Sequence, residues 1–147
     1  MQRKDESSMA FRLARVALLA LGIAACGYAQ GLRADIPFAF QINGQSYESG
    51  RYYFSPDALP ELPHEAWRIR SEETRKSKVF PTFTGTQTPG LPKASKLVFH
   101  RYGRTYFLAE VWLQYQHGWQ LPESQGERQL ANRSTLLAET VVVDLAR

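Results

Sequence analysis

The chain has 147 residues, 18 of them Lys or Arg and 14 Asp or Glu, for a formal net charge of +4. Four of the basic and two of the acidic residues fall in the first 26, so the remainder carries only +2 and offers no basic stripe for general nucleic-acid binding. Cys26 is the single cysteine, which excludes an internal disulfide and leaves the hydrophobic core to hold the fold.

The first element is an export signal. Residues 16–25 are an uncharged apolar run behind Arg12 and Arg15, with small residues at its end, which is the secretory pattern. The run is shorter than the ~20 apolar residues that span a bilayer. It has no polar face, so it does not read as an amphipathic core helix. The charges of Arg3, Lys4, Asp5 and Glu6 leave both Met1 and Met9 open as the start. Two ends of the signal stay open as well. Ile23-Ala24-Ala25-Cys26 resembles the lipobox of bacterial lipoproteins, which implies a signal over 1–25 and a lipidated Cys26 at the mature N-terminus. Ordinary cleavage after Ala29 gives a signal over 1–29 and a soluble, cysteine-free protein. The expected location is periplasmic or outer-membrane-anchored, alternatively secreted, with membrane contact only through Cys26. Residues 30–147 then form one domain, of a size that buries about two-thirds of its unfolded surface.

Within that domain, residues 27–34 read as an unpaired lead. Residues 35–42 alternate, with Ile36, Phe38, Phe40 and Ile42 on one face, and Pro37 places the strand at an edge or a strand start. Asn43-Gly44 is a two-residue hairpin turn. Its return strand runs from Gln45 to about Phe54, interrupted near Ser49-Gly50. Pro56, Pro60 and Pro63 mark a loop over 55–64. Residues 66–71 form a short strand with Trp67 and Ile69 inward and Arg68 and Arg70 outward. Residues 78–84 form another, at an edge because of Pro81, and 84–94 are the longest loop.

The densest segment is 96–112. Gly103-Arg104 fits a Gly-first type II′ turn. That register sets His100 opposite Phe107, Phe99 opposite Leu108 and Leu97 opposite Glu110. Leu97, Phe99, Leu108, Glu110 and Trp112 then share one face, and Val98, Phe107, Ala109 and Val111 the other. Both faces are apolar, so the hairpin is expected at the centre of a sheet. Ser124-x-x-Glu127 is a capping box that opens a helix at about 125–133, and 139–145 read as a buried terminal strand. Aromatic residues, concentrated between Phe38 and Trp119, favour strands. The expected fold is mainly β: a small antiparallel sandwich or partly closed barrel of about six to eight strands with one short helix near 125–133.

Three segments together carry a resemblance: Ala34-Asp-Ile-Pro-Phe-Ala-Phe-Gln-Ile-Asn-Gly44, Leu97-Val-Phe-His-Arg-Tyr-Gly103 with Tyr106-Phe-Leu108, and Leu121-Pro followed by Ser124-x-x-Glu-Arg-x-Leu-Ala131. The chain resembles a family of uncharacterised exported bacterial proteins with one small β-rich domain, of which this would be a lipoprotein variant. The resemblance covers most of the mature chain and implies a signal peptide and a β domain. It implies no activity.

Few residues are candidates for chemistry. His64, His100 and His117 have no paired metal-ligand spacing, so neither a metal nor another cofactor is expected. No phosphate loop or Gly-x-Ser-x-Gly elbow occurs. His100 and Glu110 are the acid–base candidates, and the turn register places them on opposite faces. Glu110 is expected to pair with one of Arg68, Arg70, Arg101 and Arg128, since a buried carboxylate needs a partner. Arg68, Arg70, Arg75, Lys76 and Lys78 are interleaved with Glu65, Glu72 and Glu73, which reads as a mixed solvated face. Trp112, Tyr115 and Trp119, with Tyr52 and Tyr53, are candidates for a sugar- or peptide-binding face or for core packing. Asn132-Arg133-Ser134 matches a glycosylation pattern that has no meaning in a bacterial protein. The leading expectation is a non-enzymatic exported envelope domain that binds or scaffolds an unidentified envelope partner and no nucleic acid. The alternatives are a small-ligand carrier with a β-barrel pocket and a minor hydrolase using His100 and Glu110.

Overall fold

The computed structural model describes residues 31–57, 65–85, 90–133 and 138–146. The export segment, Cys26, His64 and Ser134 lie outside the described residues. The domain is built from β1 (Leu32–Ile36), β2 (Phe40–Ile42), β3 (Gln45–Tyr47), β4 (Gly50–Asp57), β5 (Ala66–Ser71), β6 (Ser77–Pro81), β7 (Phe83–Thr84), β8 (Lys96–Tyr102), β9 (Thr105–Trp112), β10 (Gly118–Gln120), helix α1 (Gln125–Arg133) and β11 (Glu139–Asp144). These strands make two sheets, β1-β4-β5-β6 and β11-β8-β9-β10-β7. In the second, β2 lies beside β9 in parallel and pairs with β3 on its other side. The architecture is a small β sandwich, not a closed barrel.

Three corners hold the sheets together. The first is one long hairpin bent in half. Its outer part pairs Ile36 with Gly50 in the first sheet, and its inner part pairs Phe40 with Tyr47 in the second. The chain changes sheet at Pro37, which has no N–H for a ladder. The 35–42 segment expected as one strand is therefore two. The Asn43-Gly44 turn forms as expected, with φ of 49° and 79°, the paired left-handed conformation of a type I′ turn. The second corner is Thr82, fully buried between β6 and β7. Its N–H and hydroxyl both donate to the Glu65 carbonyl, at 2.8 and 2.9 Å. This bend splits the expected 78–84 strand, as happens where strands switch sheets. The third is a two-bond bridge between Arg33 and Ala146. Pairing of Leu32, Arg33 and Ala34 with Phe54, Tyr53 and Tyr52 makes 32–34 part of β1 and not an unpaired lead.

Between the sheets lies an aromatic core. Trp67, Phe40, Phe54 and Phe99 are buried to 2% exposure or less, and each such side chain contributes ~1.5–3 kcal/mol by leaving water. Phe40 meets Tyr52 and Phe99 edge-on, and Phe38 stacks on Tyr106 at 3.9 Å. Trp67 and Ile69 point inward and Arg68 and Arg70 outward, as the alternation of β5 requires.

The β8–β9 hairpin is central, with a Gly103 φ of 63° at the expected turn. Its register holds from Tyr102 opposite Thr105 to Phe99 opposite Leu108, then slips by one residue. Ala109 is the extra residue of a bulge, so Val98 faces Glu110 and Leu97 faces Val111. The expected pairing of Leu97 with Glu110 is corrected accordingly. Because strand side chains alternate, the slip sends Val111 into the core and turns Glu110 and Trp112 to the outer face, with Val98, His100 and Phe107. β11 is also corrected. It lies at the sheet edge, and only Val141 and Val143 turn toward the core while Val142 is 49% exposed.

Candidate functional site

The inner faces are filled, so chemistry is confined to the outer ones. On the first sheet, direct cross-strand pairing lines up Arg33, Tyr53, Arg70 and Ser77 in one row, and Ser55, Arg68 and Val79 in the next. Between them lies a depression of about 520 Å³ lined by Gly31, Tyr53, Ser55, Arg68, Arg70 and Ser77. The Arg70 guanidinium sits 5.1 Å over the Tyr53 ring. Arg68 is held at 2.6 Å by Asp57. Arg51 bridges Asp35 and Glu72 at 2.7 and 3.0 Å, and its hydrogen bond and charge hold the Asp35 carboxyl below the usual carboxylate range. Tyr53 O–H donates to Glu72.

The basic run that reads as one mixed face in sequence is thus dispersed. Glu72 turns to Arg51, Glu65 accepts from the Trp119 indole, and Lys78 reaches Gln45 at 2.7 Å. Arg70 is left with no carboxylate partner among the described residues. Tyr53 and Arg70 were visible as types in the sequence, but only the β4–β5 register makes them neighbours.

The outer face of the second sheet carries the other constellation. His100 Nδ1 donates to Glu127 Oε1 at 2.8 Å; the Glu127 side chain is 5% exposed and that of His100 33%. The bond to Glu127 raises the His100 pKa above that of ordinary imidazole. Partial burial opposes it, and the charges of Glu110 and Glu123 add to it. Helix α1 supplies Glu127 where expected: the Glu127 N–H donates to Ser124 Oγ at 3.1 Å. The expected return bond from its carboxylate to Ser124 is replaced by the bond to His100. In the sequence Glu127 shows only as a cap, because its partner lies 27 residues away.

Glu110 accepts from the Trp112 indole N–H at 2.6 Å. None of the four expected arginines pairs with it: Arg68 is with Asp57, Arg101 with Glu139 and Arg70 over Tyr53, and Arg128 makes no ion pair among the described residues. The expectation that His100 and Glu110 lie on opposite faces is overturned by the bulge, which puts both on the outer face. Trp112 is packed flat across Gly118, with the Lys96 ammonium 5.8 Å from its ring.

The three aromatics singled out in the sequence are not brought together. Trp112 is buried on the outer face, and Trp119 turns inward to meet Trp67 at 5.3 Å. Tyr115 is 64% exposed in the turn before β10. Tyr52 is buried, its hydroxyl donating to the Glu48 carbonyl at 2.7 Å. His117 is exposed. No group of three His, Cys, Asp or Glu side chains among the described residues is placed to hold a metal ion. No helix among them is long and apolar enough to cross a membrane. Compared with protein-family models, curated proteins and solved structures, the chain gives no significant match.

Proposed function

We propose that residues 30–147 form a non-enzymatic, exported domain of the cell envelope that acts by binding, through the outer face of its first sheet. The groove around Tyr53 and Arg70 carries this reading. It is open to solvent and lined by polar and cationic groups that the core does not use. Ligand sites are typically concave, with a few placed polar groups. Export rests on the apolar run 16–25 and the resemblance to exported β-rich proteins, and anchoring rests on the lipobox-like end at Cys26.

Fractionation of bacteria expressing the full chain, with a clickable fatty acid in the medium, tests the location. Label on the native protein that is lost in Cys26→Ala supports the anchored form. An unlabelled but exported chain supports the soluble form. Full-length protein retained in the cytoplasm overturns the reading.

One observation favours a second reading, the minor hydrolase. A buried carboxylate holds Nδ1 of His100, and Nε2 has no hydrogen-bond partner among the described residues, the arrangement of an oriented general base, and Glu110 shares its face. Hydrolysis of activated esters by the native chain, abolished in His100→Ala, would support it. The carrier reading loses ground because the space between the sheets is filled by the protein's own aromatic rings.

A further inference from the structure

We propose that the groove on the first sheet takes a carboxylate carried on a sugar ring, as in an acidic polysaccharide, with Arg70 as the residue that grips it. This rests on the binding-domain reading and names the ligand's chemistry.

Arg70 is held in place by its neighbour. Its guanidinium lies over the Tyr53 ring, 5.1 Å from the centroid, a cation–π contact that keeps the group at this spot. Its edge, where the N–H donors lie, remains available for a two-point bond. A side chain held in this way loses less conformational freedom on binding than a free one.

The second step is the charge around it. The carboxylates of this face are committed: Asp35 and Glu72 to Arg51, and Asp57 to Arg68. Arg70 is uncompensated among the described residues, and Arg33 stands across Tyr53 with the same charge. An anion is the complement. Arg51 offsets only one of the two carboxylates it bridges, so this neighbouring group keeps a net negative charge that disfavours a densely charged phosphate chain.

The third step is the shape of the donors. A carboxylate presents two coplanar oxygens with a single charge, which one forked edge matches. The Ser55 and Ser77 hydroxyls line the same depression and suit the hydroxyls of a sugar. The depression, at about 520 Å³, lies within the range of small-ligand sites.

Affinity electrophoresis of the full chain through gels containing polygalacturonate, its fully methyl-esterified form or polyphosphate tests this. The expected result is retardation by polygalacturonate alone. Arg70→Gln should weaken it by about tenfold or more, the loss of a charge-assisted pair. Arg70→Lys, which keeps the charge but not the fork, should weaken it too. Arg104→Gln, the same charge change in the β8–β9 turn, should not. Equal loss in Arg70→Gln and Arg104→Gln would overturn the site in favour of diffuse charge. Stronger retardation by polyphosphate would overturn the carboxylate. Equal retardation by the ester would do the same, while leaving the binding-domain reading intact. No retardation in any gel would overturn this ligand class alone, since location and anchoring are read separately by the fractionation.

Discussion

The two outer faces of this sandwich are both built on antiparallel pairs, yet they do different things. On the first sheet the outward positions are Arg33, Arg51, Tyr53, Arg68 and Arg70, all exposed or half-buried, and the face is open. On the second sheet the outward apolar positions of the central hairpin, Val98, Phe107 and Trp112, are all below 9% exposure, with α1 tied down by the Glu127–His100 bond. Simple alternation produces the first face, where one side meets the core and the other meets water. The second is a smaller core of its own. Polar groups therefore have different meanings on the two sheets. An arginine outside the first sheet is free to meet a ligand, whereas a carboxylate outside the second must find a partner inside the fold.

The sharpest way to break this contrast is to truncate one aromatic on each outer face. Phe107→Ala removes a ring that is 3% exposed and meets Tyr102 at 6.0 Å. It should cost about 3–5 kcal/mol. Tyr53→Ala, on a half-buried ring, should cost under about 1 kcal/mol. Urea midpoints measure both, and equal losses would show that the two faces are equivalent.

Gly118→Ala should have the next largest effect. An added Cβ would lie 2.7 Å from the Trp112 ring, closer than atoms pack, so the indole must leave its bond to Glu110 or the strands must part. The expected cost is about 1–3 kcal/mol, with a shift in tryptophan fluorescence. An unchanged midpoint would mean that Trp112 is not held on this face.

How far these features were legible differs from element to element. The turns at Asn43-Gly44 and Gly103-Arg104 were, because both need left-handed φ that the residues there supply. The helix was also, because Ser124 and Glu127 mark its start. The Ala109 bulge was not: no glycine or proline flags it, and one inserted residue reverses every later assignment of face. It turns Val111 inward and puts Glu110 on the same face as His100, which regular alternation would not do. The Thr82 corner was hidden as well, since a buried threonine bonded to the Glu65 carbonyl is a tertiary fact. Val141-Val142-Val143 read as a buried strand because composition does not distinguish an edge from a centre. The groove needed the β4–β5 register before Tyr53 and Arg70 could be seen as a pair.

The histidine pair gives a pH-dependent test of the covered face. His100 has a raised pKa when folded, from its bond to Glu127 first and from Glu110 and Glu123 besides, against the opposing effect of burial. The protonated ring therefore favours the folded state. That contribution is fully present below the unfolded value of about 6.5 and is lost as pH rises through the higher folded value. The native chain should unfold at lower urea at about pH 8.5 than at about pH 5.5, apart from changes common to both proteins, and Glu127→Gln should flatten this difference. An identical pH profile in the two proteins would show that the pair does not tie α1 to the sheet.

The smallest effect on stability is expected where the proposed function is greatest. Arg70 is exposed, and its contact with the Tyr53 ring is a surface cation–π interaction worth roughly 0.5–1 kcal/mol at most. Arg70→Gln should therefore shift the urea midpoint by less than about 1 kcal/mol in equivalent stability, and Arg70→Gln in a Tyr53→Leu background by less still, because the stacking partner is already gone. A ligand-binding arginine on an open sheet face is one whose removal the fold tolerates. If Arg70→Gln instead cost about 2 kcal/mol or more, the residue would belong to the architecture, and the first sheet's outer face would be a second covered surface whose cover lies elsewhere.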